Sequence, residues 1–151
     1  MKLKFSKFKN DDFSEYKSWY VDLELNKRLG PMNNMWLDHV MNATGGCQYS
    51  VFHNKKLIAV VGIIFPDAKH SSYYITDFAL KPHLRNQGIG SEVLKEMMNS
   101  HPLKSGQSWK AFIDERNPKA KSFFEKNGWS CLSKTTDKHG MFTLEFSESV
   151  A

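Results

Sequence analysis

An apolar run, Tyr74-Ile-Thr-Asp-Phe-Ala-Leu80, leads through Pro82 into a loop carrying Arg85, Gly88 and Gly90. The loop opens onto a segment with Ile89, Val93, Leu94 and Met97 at helical spacing. No other feature constrains the fold as much. A strand that hands over to a helix in this way needs a crossover, and a β-α-β crossover returns the chain to a parallel neighbour. The loop also has a chemical use. The first turn of a helix carries N–H groups without intrahelical partners, and the helix dipole adds about half a positive charge there. Gly88 and Gly90 lack the Cβ atoms that would keep an anion from the backbone, and Arg85 supplies a fixed charge. Such a site suits a pyrophosphate. Two familiar phosphate loops are excluded. A Walker loop needs Lys after its last glycine, where Ser91 stands, and a Rossmann fingerprint needs a third glycine in the place of Val93.

Periodicity and turn residues predict the order β-α-α-β-β-β-α-β-α-β-β. The first strand is expected at 2–5. Asp12-Phe13-Ser14-Glu15 has capping-box spacing and starts a helix expected to run from 13 to about 25. Asn33 or Asn34 caps a second helix with Met35, Trp36, Val40 and Met41 on one side, closed by Gly45-Gly46. Strands are expected at 48–52, 57–65, 73–80 and 109–113, and helices over 88–100 and from Pro118 to Gly128. A final hairpin pairs 129–133 with 141–146. Consecutive strands joined by tight turns are antiparallel, and the crossover makes the fourth and fifth parallel. The expected fold is therefore α/β: a mixed, mostly antiparallel sheet of about seven strands with helices on both faces.

Composition excludes several classes. With 40% hydrophobic and 13% aromatic residues the chain is too apolar for disorder. Its 151 residues suit one domain, 1–151. No apolar run approaches the roughly 20 residues that cross a bilayer, and the N-terminus lacks the apolar stretch of a signal peptide. The expected compartment is the cytoplasm, with no membrane partner. The net charge of +5 is spread evenly, without a basic block, so no nucleic-acid partner is expected. Cys47 and Cys131 form no C-x-x-C pair, the six histidines show no metal spacing, and no metal is expected.

Arg85-x-x-Gly88-x-Gly90 after an apolar strand and a proline resembles motif A of the GNAT family of N-acetyltransferases. Asn117-x-x-Ala120-x-x-Phe123-Phe124-Glu125-Lys126-Asn127-Gly128-Trp129 is similar to that family's next motif, in which N-x-x-A-x-x-L-Y-E-K-x-G-F is common. The resemblance implies the acyl-CoA N-acyltransferase fold, splayed between the fourth and fifth strands, with acetyl-CoA as acyl donor lying in the splay. It implies that Phe78, Ala79 and Leu80 bond the pantetheine arm through their backbones. Arg85, Asn86, Gln87, Gly88, Ile89, Gly90 and Ser91 would hold the pyrophosphate. Asn117 would meet the arm, and Phe123 and Phe124 would pack along it. The implied acceptor is a primary amine of a small molecule or a protein N-terminus, attacking directly, and a homodimer is compatible with this reading. The alternative is a non-catalytic acyl-CoA-binding or sensing module.

Acetyl transfer to an amine sets three chemical tasks. An ammonium of pKa near 10.4 is only about 0.1% neutral near pH 7.4, a handicap of roughly 4 kcal/mol that a positioned base relieves. The oxyanion needs N–H donors, which the backbone around 78–80 can offer. The departing thiolate needs a proton. Many family members carry a tyrosine for this, where the chain has Phe124, which has no proton to give. Asp77 on the fourth strand is the candidate base, and Tyr74 and Tyr73 are candidate acids. Alternation puts Asp77 opposite Phe78 unless a bulge re-aims it. Trp19, Tyr20 and Trp36 are read as core residues or as a wall of the acceptor pocket.

Overall fold

The computed structural model describes residues 1–148. Its elements are β1 (Lys4–Lys7), α1 (Phe13–Ser18), α2 (Leu23–Leu29), α3 (Asn34–Asn42), β2 (Gly46–His53), β3 (Lys56–Ile64), β4 (Ser72–Leu80), α4 (Ile89–Asn99), β5 (Ser108–Asp114), α5 (Pro118–Lys126), β6 (Ser130–Cys131) and β7 (Met141–Phe146). The strands form one sheet in the order β1-β2-β3-β4-β5-β7-β6. Only β4 and β5 run parallel. The mixed sheet and the order of the strands and later helices are as expected, with one helix more between β1 and β2 than the sequence pattern predicts. The β2–β3 hairpin turns through Asn54 (φ 50°) and Lys55 (φ 65°), the two left-handed residues whose twist matches that of paired strands.

Helices cover both faces. On one, Val93, Leu94 and Met97 of α4 and Phe124 of α5 pack with Val61, Ile63, Ile75, Trp109 and Leu144 of the sheet. On the other, Tyr16, Trp19 and Leu25 from the α1–α2 region pack over Leu57, Val60 and Ala79. This second layer extends over β1 to β4. Beyond it, Phe112 of β5 stands 55% exposed.

Four local expectations are corrected. The first helix is broken: Trp19–Val21 forms a 3-10 turn, Asp22 is extended, and its side chain caps α2 by accepting the Leu25 N–H at 2.9 Å. The capping box at Asp12 is not made. Its carboxylate instead accepts from the Lys9 N–H (3.0 Å) and the Ser50 hydroxyl (2.8 Å), while Glu15 takes the Trp19 indole N–H and the Lys81 ammonium. Tertiary partners outbid the local cap. In α3 the inward residues are Trp36, Leu37 and Val40; Met35 is 79% exposed. The strand expected over 129–133 shrinks to β6, because the Trp129 N–H still closes the exit turn of α5 on the Phe124 carbonyl.

Candidate active site

The site begins where two strands part. β4 and β5 pair only from Ser72–Ser108 to Ile75–Ala111. Past that point the two strands diverge. β4 carries a bulge at the same place, since Gly62 pairs with Asp77 and Ile63 with Ile75, leaving Thr76 as the extra residue. Before the bulge, Tyr73 and Ile75 face the α4–α5 core; after it, Phe78 and Leu80 do, while Ala79 faces the α1–α3 layer. Asp77 stays opposite Phe78, as alternation requires. Without the bulge it would share the face of Ile75 and enter the core.

The gap-facing edge of β4 follows from its other edge. The Lys81 N–H donates to the Ile58 carbonyl at 2.9 Å, and Ala79 pairs with Val60. Strand alternation then turns the N–H and C=O of Ala79 toward β3 and those of Phe78 and Leu80 into the gap. Of the three residues expected to offer backbone groups there, Ala79 does not.

The loop after β4 is built for a helix start. Pro82–Leu84 makes a 3-10 turn, Asn86 has φ 63°, and Gly88 caps α4 at φ 78° with no side-chain bond to the first turn. The N–H groups of Ile89, Gly90 and Ser91 therefore lack intrahelical acceptors. Ile89 is 7% exposed and anchors that turn in the core. Asn86, Gln87 and Gly88 are exposed, and the Gln87 amide donates to the His83 carbonyl at 3.1 Å. At Gly90 the packing adds a further reason for a bare residue. A Cβ there would stand 3.3 Å from the Phe123 ring, so its bareness admits an aromatic side chain. The Ser91 hydroxyl accepts from the Asn127 amide at 3.1 Å.

Arg85 does not point freely at the loop. Its guanidinium is held by Asp22 in two bonds of 3.1 and 2.7 Å. At the other end of α2, Arg28 donates to the Arg116 carbonyl in the β5–α5 loop at 2.9 Å. The two ends of α2 are thus tied to the loops that follow the two diverging strands. Asn117 caps α5, its Oδ1 accepting the Ala120 N–H at 3.3 Å. Phe123 meets Phe78 at 5.5 Å between ring centroids, beside Gly90. Phe124 is 4% exposed, meets the Phe123 ring at 5.4 Å and packs on Trp129 at 4.7 Å between ring centroids.

Asp77 is half-buried, with its carboxylate taking the Gln48 amide at 2.6 Å and the Thr76 hydroxyl at 2.9 Å. Among the described residues no lysine, arginine or histidine pairs with it. Burial holds its carboxyl above the ordinary carboxylate range, against the two hydrogen bonds. From the helical layer come Tyr16 and Tyr20, whose hydroxyls lie 2.5 Å apart. Burial pushes the Tyr20 phenol up to about 12, so it stays protonated at neutral pH. Tyr74 stacks on Phe112 at 5.7 Å where the gap opens. Tyr73 lies on the opposite face against Trp109, and Trp19 is core.

Gln48, Gly62, Asp22 and Arg28 were not singled out from the sequence. Two signals were available: an isolated glycine inside the apolar β3 marks close approach of other groups, and an aspartate followed by Glu24 marks a helix start. Among the described residues no cluster of histidine, cysteine and carboxylate side chains is placed to hold a metal, and no helix is long and apolar enough to cross a membrane.

Residues 8–129 match the family model described as the Acetyltransferase (GNAT) family. No curated protein matches the chain. Among solved structures, an uncharacterised Bacillus halodurans protein is similar with a TM-score of 0.77 at 18% identity, covering 95% of this chain and 82% of its own. A chimeric spermidine N-acetyltransferase from Vibrio cholerae gives 0.70 at 14%, over 96% and 93%. The ribosomal-protein-S18-alanine N-acetyltransferase of Escherichia coli gives 0.68 at 12%, over 99% and 96%. At such identities these likenesses concern the fold.

Proposed function

The chain belongs to the GNAT acetyltransferase family, and from that premise we propose that it transfers an acetyl group from acetyl-CoA to a primary amine by direct attack, with Asp77 receiving the proton of the amine. One observation carries this reading. Asp77 is a half-buried carboxylate with no cationic partner among the described residues, on the face where β4 leaves β5. A protonated amine supplies the missing charge, and a carboxyl that burial raises is a better proton acceptor than an ordinary carboxylate.

The donor fits the remaining geometry. The backbone groups of Phe78 and Leu80 offer a strand edge to an amide-bearing arm, and the N–H groups of Ile89, Gly90 and Ser91 offer an anion site beside Asn86, Gln87 and Gly88. Phe123 lines the arm, and the Asn117 amide nitrogen is free to meet it while Oδ1 caps α5. Arg85 serves by holding the loop to α2 rather than by free charge. The ammonium first passes one N–H proton to Asp77, which frees the nitrogen lone pair; as the C–N bond then forms and the C–S bond breaks, the nitrogen gives up its second proton to solvent. Tyr74, on the same strand, is the proposed proton donor to sulfur. Two similar structures are named as N-acetyltransferases of spermidine and of an alanine of ribosomal protein S18, and the acceptor proposed here is a small-molecule amine or a protein N-terminus.

A non-catalytic acyl-CoA-binding role draws on Phe124, which is buried and has no hydroxyl. Purified protein with acetyl-CoA and a panel of primary amines, followed by thiol release, separates the two. Release above the hydrolysis background with at least one amine supports the enzyme. A rise in Tm with acetyl-CoA but no release across the panel supports the binding module.

A further inference from the structure

We propose that Gln48 is a positioning residue for Asp77: its amide reaches across Gly62 and holds the carboxylate at the mouth of the β4–β5 gap. The inference rests on the reading of Asp77 as the proton acceptor.

The sheet register sets the arrangement. Gln48 of β2 pairs with Gly62 of β3, which pairs with Asp77 of β4, so the three form a row across three strands on one face. Outer members of such a row are about 9.5 Å apart, two strand spacings. A long side chain closes that distance only by lying over the middle residue. Gln48 does so, and its Nε2 reaches Asp77 Oδ2 at 2.6 Å. The middle residue must then be bare. A Cβ on Gly62 would overlap Asp77 Oδ1, Thr76 Oγ1 and Gln48 Oε1. Gly62 is not among the glycines of positive φ, so its lack of a side chain, and not backbone freedom, is what the fold uses.

The chemistry favours an amide in this place. A lysine or arginine would neutralise Asp77 and repel the incoming ammonium. A neutral donor fixes one carboxylate oxygen and leaves the charge for the substrate. Thr76 fixes the other oxygen. Tyr16 and Tyr20, whose phenols burial pushes up, face the group from α1 and the turn after it, Gly62 from β3, and Tyr74 stands nearby on β4. In the transfer step the ammonium N–H bond breaks, the O–H bond forms on Asp77, and the nitrogen lone pair is freed for attack.

The test is the pH profile of kcat/KM, with the amine found by thiol release, for wild type, Gln48→Met, Gln48→Glu and Asp77→Asn. Methionine keeps the length of glutamine but donates nothing to the anion. The acidic limb should therefore move up by about one unit, a tenfold loss on that limb, with the plateau largely kept. Glutamate places a second carboxyl beside the first, and the limb should move up further. Asp77→Asn should abolish the limb. If Asp77→Asn abolishes it but Gln48→Met leaves it in place and changes only Tm, Gln48 is merely structural and the inference is overturned. If Asp77→Asn leaves rate and profile unchanged, or wild type acetylates no amine, the reading of Asp77 beneath it fails.

Discussion

Asp22 and Arg85, 63 positions apart in the chain, meet in a two-point ion pair with Nη2–Oδ2 at 2.7 Å and Nη1–Oδ1 at 3.1 Å. The same carboxylate caps α2 through the Leu25 N–H. The loop that would take the pyrophosphate and the helix across the gap thus share one side chain.

Replacing Asp22 tests that tie. The Arg85 guanidinium first, then the Leu25 N–H, hold the Asp22 carboxyl below the usual range. A group depressed in the folded state contributes stability above its unfolded pKa, near 3.9, and loses it as pH falls through the folded value. Asp22→Asn keeps a competent cap but drops the charge. The pair is partly solvent-exposed, so the loss should be about 0.5–1 kcal/mol at pH 7, or a few degrees in Tm. Thermal melts should show the gap between variant and wild type closing from about pH 4 downward. A gap independent of pH would exclude the ion pair as its source.

Gly88 and Gly90 should respond differently to alanine. Gly88 sits at φ 78°, so Gly88→Ala carries backbone strain of about 1 kcal/mol or more. In Gly90→Ala, a gain in helix propensity of about 1 kcal/mol opposes a 3.3 Å approach to the Phe123 ring. Chemical denaturation should rank Gly88→Ala as the less stable of the two. Gly90→Glu, which sets bulk and negative charge at the anion site, should abolish the rise in Tm with acetyl-CoA; an undiminished rise would remove the loop from the cofactor site.

Asp77→Asn should separate activity from stability. The expected loss in kcat/KM is roughly 10²–10⁴-fold, with acetyl-CoA affinity little changed. Burial raises the folded pKa of Asp77 above the unfolded value. The folded protein therefore binds more protons between the two values, and stability falls as pH rises through that window. Above the window the cost is fully present, so there the variant should melt a few degrees higher than wild type, and the advantage should shrink as pH falls through the window toward the unfolded value. A lower Tm together with weaker cofactor binding would mark Asp77 as a structural carboxylate.

Phe124→Tyr should keep the fold, since the ring is nearly isosteric. In the cofactor-free protein it should cost about 1 kcal/mol or more, because a polar hydroxyl is added to a buried ring whose neighbours include the Phe123 and Trp129 rings. Calorimetry without ligand checks this. An unchanged Tm would mean that the hydroxyl finds a partner, and faster thiol release in the same variant would locate that partner at the gap.

Short windows of sequence suffice for the local features. The Asn117-Pro118 helix start and the β4-to-α4 handover are each fixed by a few adjacent residues, and from them the strand order along the chain and the parallel pair could be read. The expected splay and the proposed cofactor residues came from resemblance to a family, not from spacing. The remaining features are set by tertiary packing. The bulge at Thr76 sets which face every later residue of β4 presents, and a strand's register is a property of its neighbours. Gln48 finds Asp77 because β2, β3 and β4 bring them into one row. Arg85 finds Asp22 because the first helix breaks where a carboxylate can both cap α2 and meet a guanidinium. Local sequence encodes how each segment is shaped; only the packed sheet decides which charges and amides stand close enough, in a shared low dielectric, to act on one another.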